Sequence, residues 1–298
     1  MNAQTAETVQ SAQKLIGADV AGVTLLTLHG CGHTGLVFTG FQRSLKRKIA
    51  VKLVPKDKTT AQSFMDEAEV VAVLNHPNIV TVFDVGEFGE YLYITMRLVE
   101  GDSLQTLIKR KLRHPLPSQR YVDLPTALKT VAQTLDALAY AHKAGVVHQD
   151  VKPGNILIER ESGRAYLVDF GIARTELTED DGLFVHGTPL YMPPEQARGE
   201  VTDARADIFA AGATLWECLA GTLPVPQLPT VKLVGIKARR PRDFFERTPS
   251  ESSDRIDKEL EAIIQKATAS HRDDRYADCS EFLEKIKKYA NNKLDLAL

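Results

Sequence analysis

The chain has 298 residues, of which 43% are hydrophobic and 26% charged, enough apolar content for one large domain or two lobes sharing a core. Its formal net charge of -2 supplies no global field, which argues against nucleic acid or an anionic membrane as a default partner. Three cysteines, Cys31, Cys218 and Cys279, an odd set without metal-ligand spacing, fit a reducing compartment and point to the cytoplasm. The first residues lack a basic stretch leading into an apolar core, and no run reaches the roughly 18 apolar residues of a membrane span.

Residues 1–20 are rich in Ala, Gln and Thr; they predict a short helix ending near Gly17 and read as an N-terminal extension. β-branched runs broken by Gly and charged turns then predict strands over Val23–Leu28, Leu36–Phe41 and Lys48–Val54. Phe64, Ala68, Val71 and Leu74 carry a helical period over Thr60–Leu74, and "NHPN" ends it before strands at Ile79–Val85 and Tyr91–Met96. Beyond Ser103 the pattern is mostly helical, at Ser103–Lys111, Pro125–Lys143, Ala206–Leu219 and Asp257–Ala269. Five antiparallel strands with one helix, followed by a helical half, make an α+β two-lobe layout with its boundary near Val99–Gly101. Between two of the helices, "KRKLRHPLPSQR" (Lys109–Arg120) is a basic loop, read as a solvated surface with partner docking as the sharper option.

Several short motifs carry chemistry. "GCGHTGLV" places Gly30, Gly32 and Gly35 between two strands, where a hairpin backbone without Cβ atoms can approach phosphate oxygens. The flanking strands argue against a dinucleotide-binding turn, which runs from strand to helix. "IAVK" sets Lys52 in a strand, where a lone lysine is ordinarily a surface residue. Glu67 offers it a carboxylate from the first helix, in competition with Asp66 and Glu69. "VVHQDVKPGNIL" puts Asp150, Lys152 and Asn155 in a loop after a long helix, and "YLVDFGIAR" adds Asp169 after an apolar run. Phosphoryl transfer needs a carboxylate to orient the attacking hydroxyl, hard oxygen ligands for Mg²⁺ and a cation near the transferred charge, and this set can supply all three.

With these motifs in this order, the chain resembles the eukaryotic-like, or Hanks-type, Ser/Thr protein kinases of the bacterial kind, over about Gly22–Tyr289. The resemblance implies a kinase domain over 21–290, with an N-lobe at about 21–98, a C-lobe at about 100–290 and a tail at 291–298. It implies ATP with Mg²⁺ or Mn²⁺ as cofactors and transfer of the γ-phosphoryl to protein hydroxyls, the enzyme itself included. Gly30, Gly32 and Gly35 would cover the phosphates, and Lys52, paired with Glu67, would contact them. Val37, Ala50 and Leu157 would enclose adenine, with Met96 behind it and Leu98 in the hinge. Asp150 would take the hydroxyl proton, Lys152 would stabilise the moving phosphoryl, and Asn155 with Asp169 would hold the metal. Protein substrates would dock near Thr188–Glu195, where Glu195 would pair with Arg275, while Asp207 would brace the catalytic loop; a regulatory partner is also allowed for.

Two alternatives belong to other classes. A small-molecule phosphotransferase shares the Asp/Asn arrangement but usually lacks the docking segment from Thr188 to Glu195. A pseudokinase scaffold would bind nucleotide without transfer, and the presence of Lys52, Asp150, Asn155 and Asp169 together argues against it. Gln149 departs from the arginine that many family members place between the His and the Asp, where it grips a phosphate on the activation segment. A neutral glutamine predicts a segment ordered without obligatory phosphorylation of Thr175 or Thr178. Cys31, inside the glycine motif, is either a tolerated small residue or a redox-sensitive one.

Overall fold

The computed structural model describes residues 12–32, 35–56, 61–170, 177–178, 184–185 and 189–298, with only the backbone described at 31, 32, 63, 67, 177, 178, 184 and 185. Two compact units result, one of Met1–Asn75, Val80–Glu100 and Gly171–Glu176, the other of His76–Ile79, Gly101–Phe170 and Leu177–Leu298. Among the described residues no helix is long and apolar enough to cross a membrane.

The first unit is built on an antiparallel sheet of strands β1 (Asp19–Val20), β2 (Val23–Gly32), β3 (Gly35–Gln42), β4 (Arg47–Pro55), β5 (Val82–Phe88) and β6 (Tyr91–Met96), in the order β1-β2-β3-β4-β6-β5. The sheet thus has six strands where the sequence predicts five. The additional one is β1, two residues long and paired with Val23 and Thr24, too short to leave an alternating pattern. Its neighbour Ala12 is buried in the same apolar cluster as Val20, Leu25, Phe38, Val51 and Leu53, so residues from the predicted extension contribute to the core. The fourth predicted strand, Ile79–Val85, also shifts: β5 begins at Val82, while Ile79 belongs to the second unit and makes an isolated bridge there to Leu167.

Strand alternation divides this sheet into two faces. Leu36, Phe38, Ile49, Val51, Leu53 and Tyr93 fall on the clustered side. Cross-strand pairs Val37↔Lys52 and Ala50↔Met96 therefore share the opposite face. The helix Ala61–Ala72 packs against β5 and β6 with Phe64 and Ala68 fully buried.

The second unit is helical around Arg205–Ala220, in which every residue from Ala206 to Trp216 is buried. Helices Leu124–Lys143, Lys258–Ala267 and Cys279–Leu294 pack around it. Close approach is made possible by Gly212, where a Cβ would lie 2.7 Å from the Cβ of Ala267. Side-chain caps fix where these helices start: Asp123 accepts from the Thr126 N–H, Asp257 from Leu260 and Asp278 from Glu281. The helices Thr230–Arg239 and Cys279–Leu294 are additional to those the sequence pattern predicts, the first because charged residues interrupt its apolar stripe. A three-stranded sheet of β7 (Gly101–Ser103), β8 (Ile156–Glu159) and β9 (Ala165–Leu167) frames the loop that precedes β8.

Candidate active site

In the first unit the glycine motif forms the far end of the β2–β3 hairpin, with pairs Gly30↔Val37, Cys31↔Leu36 and Gly32↔Gly35. The ladder shifts register between Leu28 and Gly30, so a β-bulge twists the strand as it enters the motif. Gly35 has φ +123°, and a Cβ there would stand 2.3 Å from the Leu53 carbonyl oxygen, so no other residue fits. Lys52 is 1% exposed in β4, a burial that overturns the surface reading of a lone strand lysine. Its sheet face carries Val37, Ala50 and Met96, and Leu98 follows β6 half-buried. Glu67 lies in the helix Ala61–Ala72, but its side chain, like that of Cys31, is outside the described residues.

The catalytic-loop motif lies in the second unit and is held from below by Asp207. This aspartate is fully buried in the central helix; Oδ2 accepts the His148 N–H (2.8 Å) and Oδ1 the Gln149 N–H (2.7 Å). His142 Nε2 lies 2.8 Å from Oδ2, so the buried carboxylate is surrounded by partners as its desolvation requires. His148 in turn reaches the Val168 carbonyl through Nε2 at 2.9 Å and packs on Phe170 with ring centroids 4.6 Å apart. The segment before Phe170 is thereby tied to the catalytic loop.

Within that loop, Asp150 Oδ2 accepts from Lys152 Nζ at 2.6 Å and from Asn155 Nδ2 at 3.0 Å. Asn155 Nδ2 also donates to the Asp150 carbonyl (2.9 Å), and the Asn155 carbonyl accepts the Val168 N–H (3.0 Å). Because both of these side-chain contacts of Asn155 use Nδ2, Oδ1 is the side-chain atom suited to a cation. Gln149 and Asp169 have φ of 63° and 60°, a left-handed backbone costing about 1–3 kcal/mol away from glycine and concentrated at functional sites. For Gln149 the conformation is fixed from both sides, by its N–H on Asp207 and by its Nε2 donating to Thr202 Oγ1 at 2.9 Å. Leu157 is half-buried in β8.

The docking segment is described from Pro189 onward; Thr175, Gly187 and Thr188 lie outside the described residues, as does the side chain of Thr178. Arg275 forks onto Glu195 with Nη1 at 2.6 Å from Oε1 and Nη2 at 2.8 Å from Oε2, both side chains buried. This bidentate geometry is the strongest form of the pair. Two further anchors are not foreseen by the sequence pattern. Tyr191 donates to Glu217 (2.5 Å), whose carboxyl burial pushes up above its ordinary range. Lys237, 1% exposed on the helix Thr230–Arg239, donates to the carbonyls of Pro189 (2.7 Å) and Leu190 (3.1 Å). Burial, reinforced by the Arg275 charge, lowers the Lys237 ammonium well below the usual lysine range. The sequence did hold one signal for it: Leu233, Val234 and Lys237 fall on one helical stripe, so the lysine stands where an apolar residue belongs.

An antiparallel-sheet unit with a glycine hairpin, and a helical unit with an Asp-braced His-x-Asp loop, define the architecture of the protein kinases. The family model described as the protein kinase domain matches residues 24–288. A probable serine/threonine-protein kinase PknB of Bifidobacterium longum is 35% identical over 289 residues, covering 91% of this chain and 40% of the relative. The serine/threonine-protein kinase Pkn3 of Myxococcus xanthus is 34% identical over 278 residues, 87% of this chain and 48% of the relative. Among solved structures, the Mycobacterium tuberculosis PknI kinase domain superposes with a TM-score of 0.68 at 27% identity, covering 92% of this chain and 98% of that one. The chain belongs to the protein kinase domain family, with bacterial Hanks-type Ser/Thr kinases as relatives. It spans less than half the length of these two relatives from Bifidobacterium and Myxococcus.

Proposed function

We propose that this domain transfers the γ-phosphoryl of ATP to Ser or Thr hydroxyls of proteins, its own included. The observation that carries the reading is the Asp150 carboxylate, held by Lys152 and Asn155 in a loop whose backbone is clamped to Asp207. In this reading Asp150 orients the substrate hydroxyl and accepts its proton as the new O–P bond forms and the bond between the β- and γ-phosphates breaks, with ADP leaving. Lys152, once the hydroxyl takes its place on Asp150, stabilises the charge on the transferring group. Gly30, Gly32 and Gly35 cover the phosphates, and Lys52, oriented by Glu67, contacts them. Val37, Ala50, Met96, Leu98 and Leu157 receive the adenine. Asn155 Oδ1 and the Asp169 carboxylate are hard oxygen donors of the kind Mg²⁺ prefers, and the engagement of Asn155 Nδ2 elsewhere supports that assignment. Bound Mg²⁺ would neutralise negative charge on the phosphate oxygens.

Protein substrates dock on the segment Thr188–Glu195. Gln149 bears on control: its side chain is spent on Thr202, an internal hydrogen bond in place of an arginine's grip on a phosphate. The catalytic loop is then ordered without activation-segment phosphorylation, and both phosphatase-treated wild type and a Thr175→Ala/Thr178→Ala variant keep activity within about threefold of untreated wild type; a loss of several orders of magnitude contradicts this. The odd, unspaced set of cysteines, with Cys218 and Cys279 free and buried, fits a reducing cytoplasmic setting.

The test is Mg²⁺-dependent incorporation of γ-phosphate into the chain and into casein, compared with Asp150→Asn. Transfer that disappears in the variant is expected. Transfer to a small metabolite but never to protein would favour the small-molecule phosphotransferase, and ATP binding without transfer the scaffold.

A further inference from the structure

We infer that Lys237 is a positioning residue for the protein substrate, holding the start of the docking segment from behind so that the peptide-binding edge is preformed. The inference rests on the kinase reading and adds a residue that carries no part of the phosphate, base or metal chemistry.

The argument begins with the backbone. Pro189 has no N–H, so its carbonyl is its one main-chain hydrogen-bonding group, and that carbonyl and the next both turn onto Lys237 Nζ. Nothing in regular secondary structure orients this stretch, since residues 189–193 lie in turn and coil before the short helix Pro194–Ala197. A single buried amine therefore satisfies two consecutive carbonyls and sets the direction in which both peptide planes face. The far end of the segment is fixed by Glu195 on Arg275. The two anchors are linked through one ring: Lys237 Nζ lies 5.1 Å and the Arg275 guanidinium 5.1 Å from the centroid of Phe209. The centroid of the Phe244 ring lies 3.6 Å from the amine. Met192 and Ala197 pack with Val234 of the same helix, so lysine and docking segment share one apolar contact.

A burial this complete is costly for a lysine, and a methionine of similar length would fill the space at lower cost. Retaining the amine makes sense when its donors, rather than its volume, are what the segment needs. Beside it opens a cavity of about 510 Å³, lined by Lys237, Phe209, Trp216, Phe244, Phe245 and Pro249. That cavity gives a small amine a path to the site if the side chain is removed.

The experiment uses steady-state kinetics of the whole chain with casein as the acceptor. In Lys237→Met, KM for casein is expected to rise about tenfold, as for the loss of two hydrogen bonds, while kcat and KM for ATP stay within about twofold. Lys237→Ala should show the same rise, and n-propylamine, the excised piece, should lower KM again where n-propanol does so less. An unchanged casein KM in Lys237→Met overturns the inference, as does a parallel loss in kcat, ATP affinity and melting temperature. Should Lys237→Met fold poorly, the propylamine titration decides: a casein KM that stays raised at saturating amine also overturns it. Wild-type enzyme that labels no protein defeats the kinase reading itself, whereas labelling by wild type with an unaltered KM in the variant defeats only the role of Lys237.

Discussion

The catalytic loop and the docking segment are both irregular stretches held by a buried polar side chain from a helix, one as an acceptor and the other as a donor. Asp207 collects two backbone N–H groups, of His148 and Gln149, whereas Lys237 collects two backbone carbonyls, of Pro189 and Leu190. Each arrangement solves one problem: a loop that must keep a fixed shape near the protein interior has main-chain groups that no ladder or helix satisfies. Whether the buried group accepts or donates follows from which main-chain groups the loop turns inward. The catalytic loop presents N–H groups because Gln149 takes a left-handed conformation, and the docking segment presents carbonyls because Pro189 has no N–H to offer.

The contrast can be broken at its stronger side first. Asp207→Ala leaves the two N–H groups and His142 without their buried acceptor, and the domain should lose about 3–5 kcal/mol of stability, measured by urea unfolding. A loss below about 1 kcal/mol would show that the loop keeps its shape without the carboxylate. Lys237→Met belongs at the weaker side, with its effect in substrate KM and little in stability, because removing the buried amine also removes its desolvation cost.

A smaller effect sharpens the picture of the docking segment's middle anchor. Glu217 has a raised carboxyl pKa, caused first by burial, against an ordinary value of 4.5. A folded pKa above the unfolded one means that its contribution to stability is complete below about pH 4.5 and declines as pH rises through the raised value. The melting temperature of wild type relative to Glu217→Gln should therefore fall across that window. A difference independent of pH would place the proton elsewhere in the Tyr191–Glu217 pair.

That Asp150, Lys152 and Asn155 stand together was legible in the sequence, because they lie within six residues of one loop. The strands were legible as elements, since β-branched runs broken by Gly and charged turns mark them, but their faces were not, because Ile49 to Val54 of β4 are all buried and show no alternation. Lys237 was not, because its partners lie 48 and 47 residues away and its stripe reads as a helix end with basic residues. The same holds for Glu217 with Tyr191 and for Gln149 with Thr202, where two ordinary polar residues gain meaning only when the chain brings them together. Strand β1 escaped for a simpler reason, two residues being too few to show a period.

In the proposed function the residues that transfer the phosphoryl group are distinct from those that hold their loops, and one paired measurement tests that most directly. Mg²⁺-dependent labelling of casein and the melting temperature are recorded for wild type, Asp150→Asn and Asp207→Ala. Asp150→Asn should lose labelling by at least about a thousandfold while melting within about 2 °C of wild type, and Asp207→Ala should lose both. Labelling by Asp150→Asn at the wild-type rate would contradict the account.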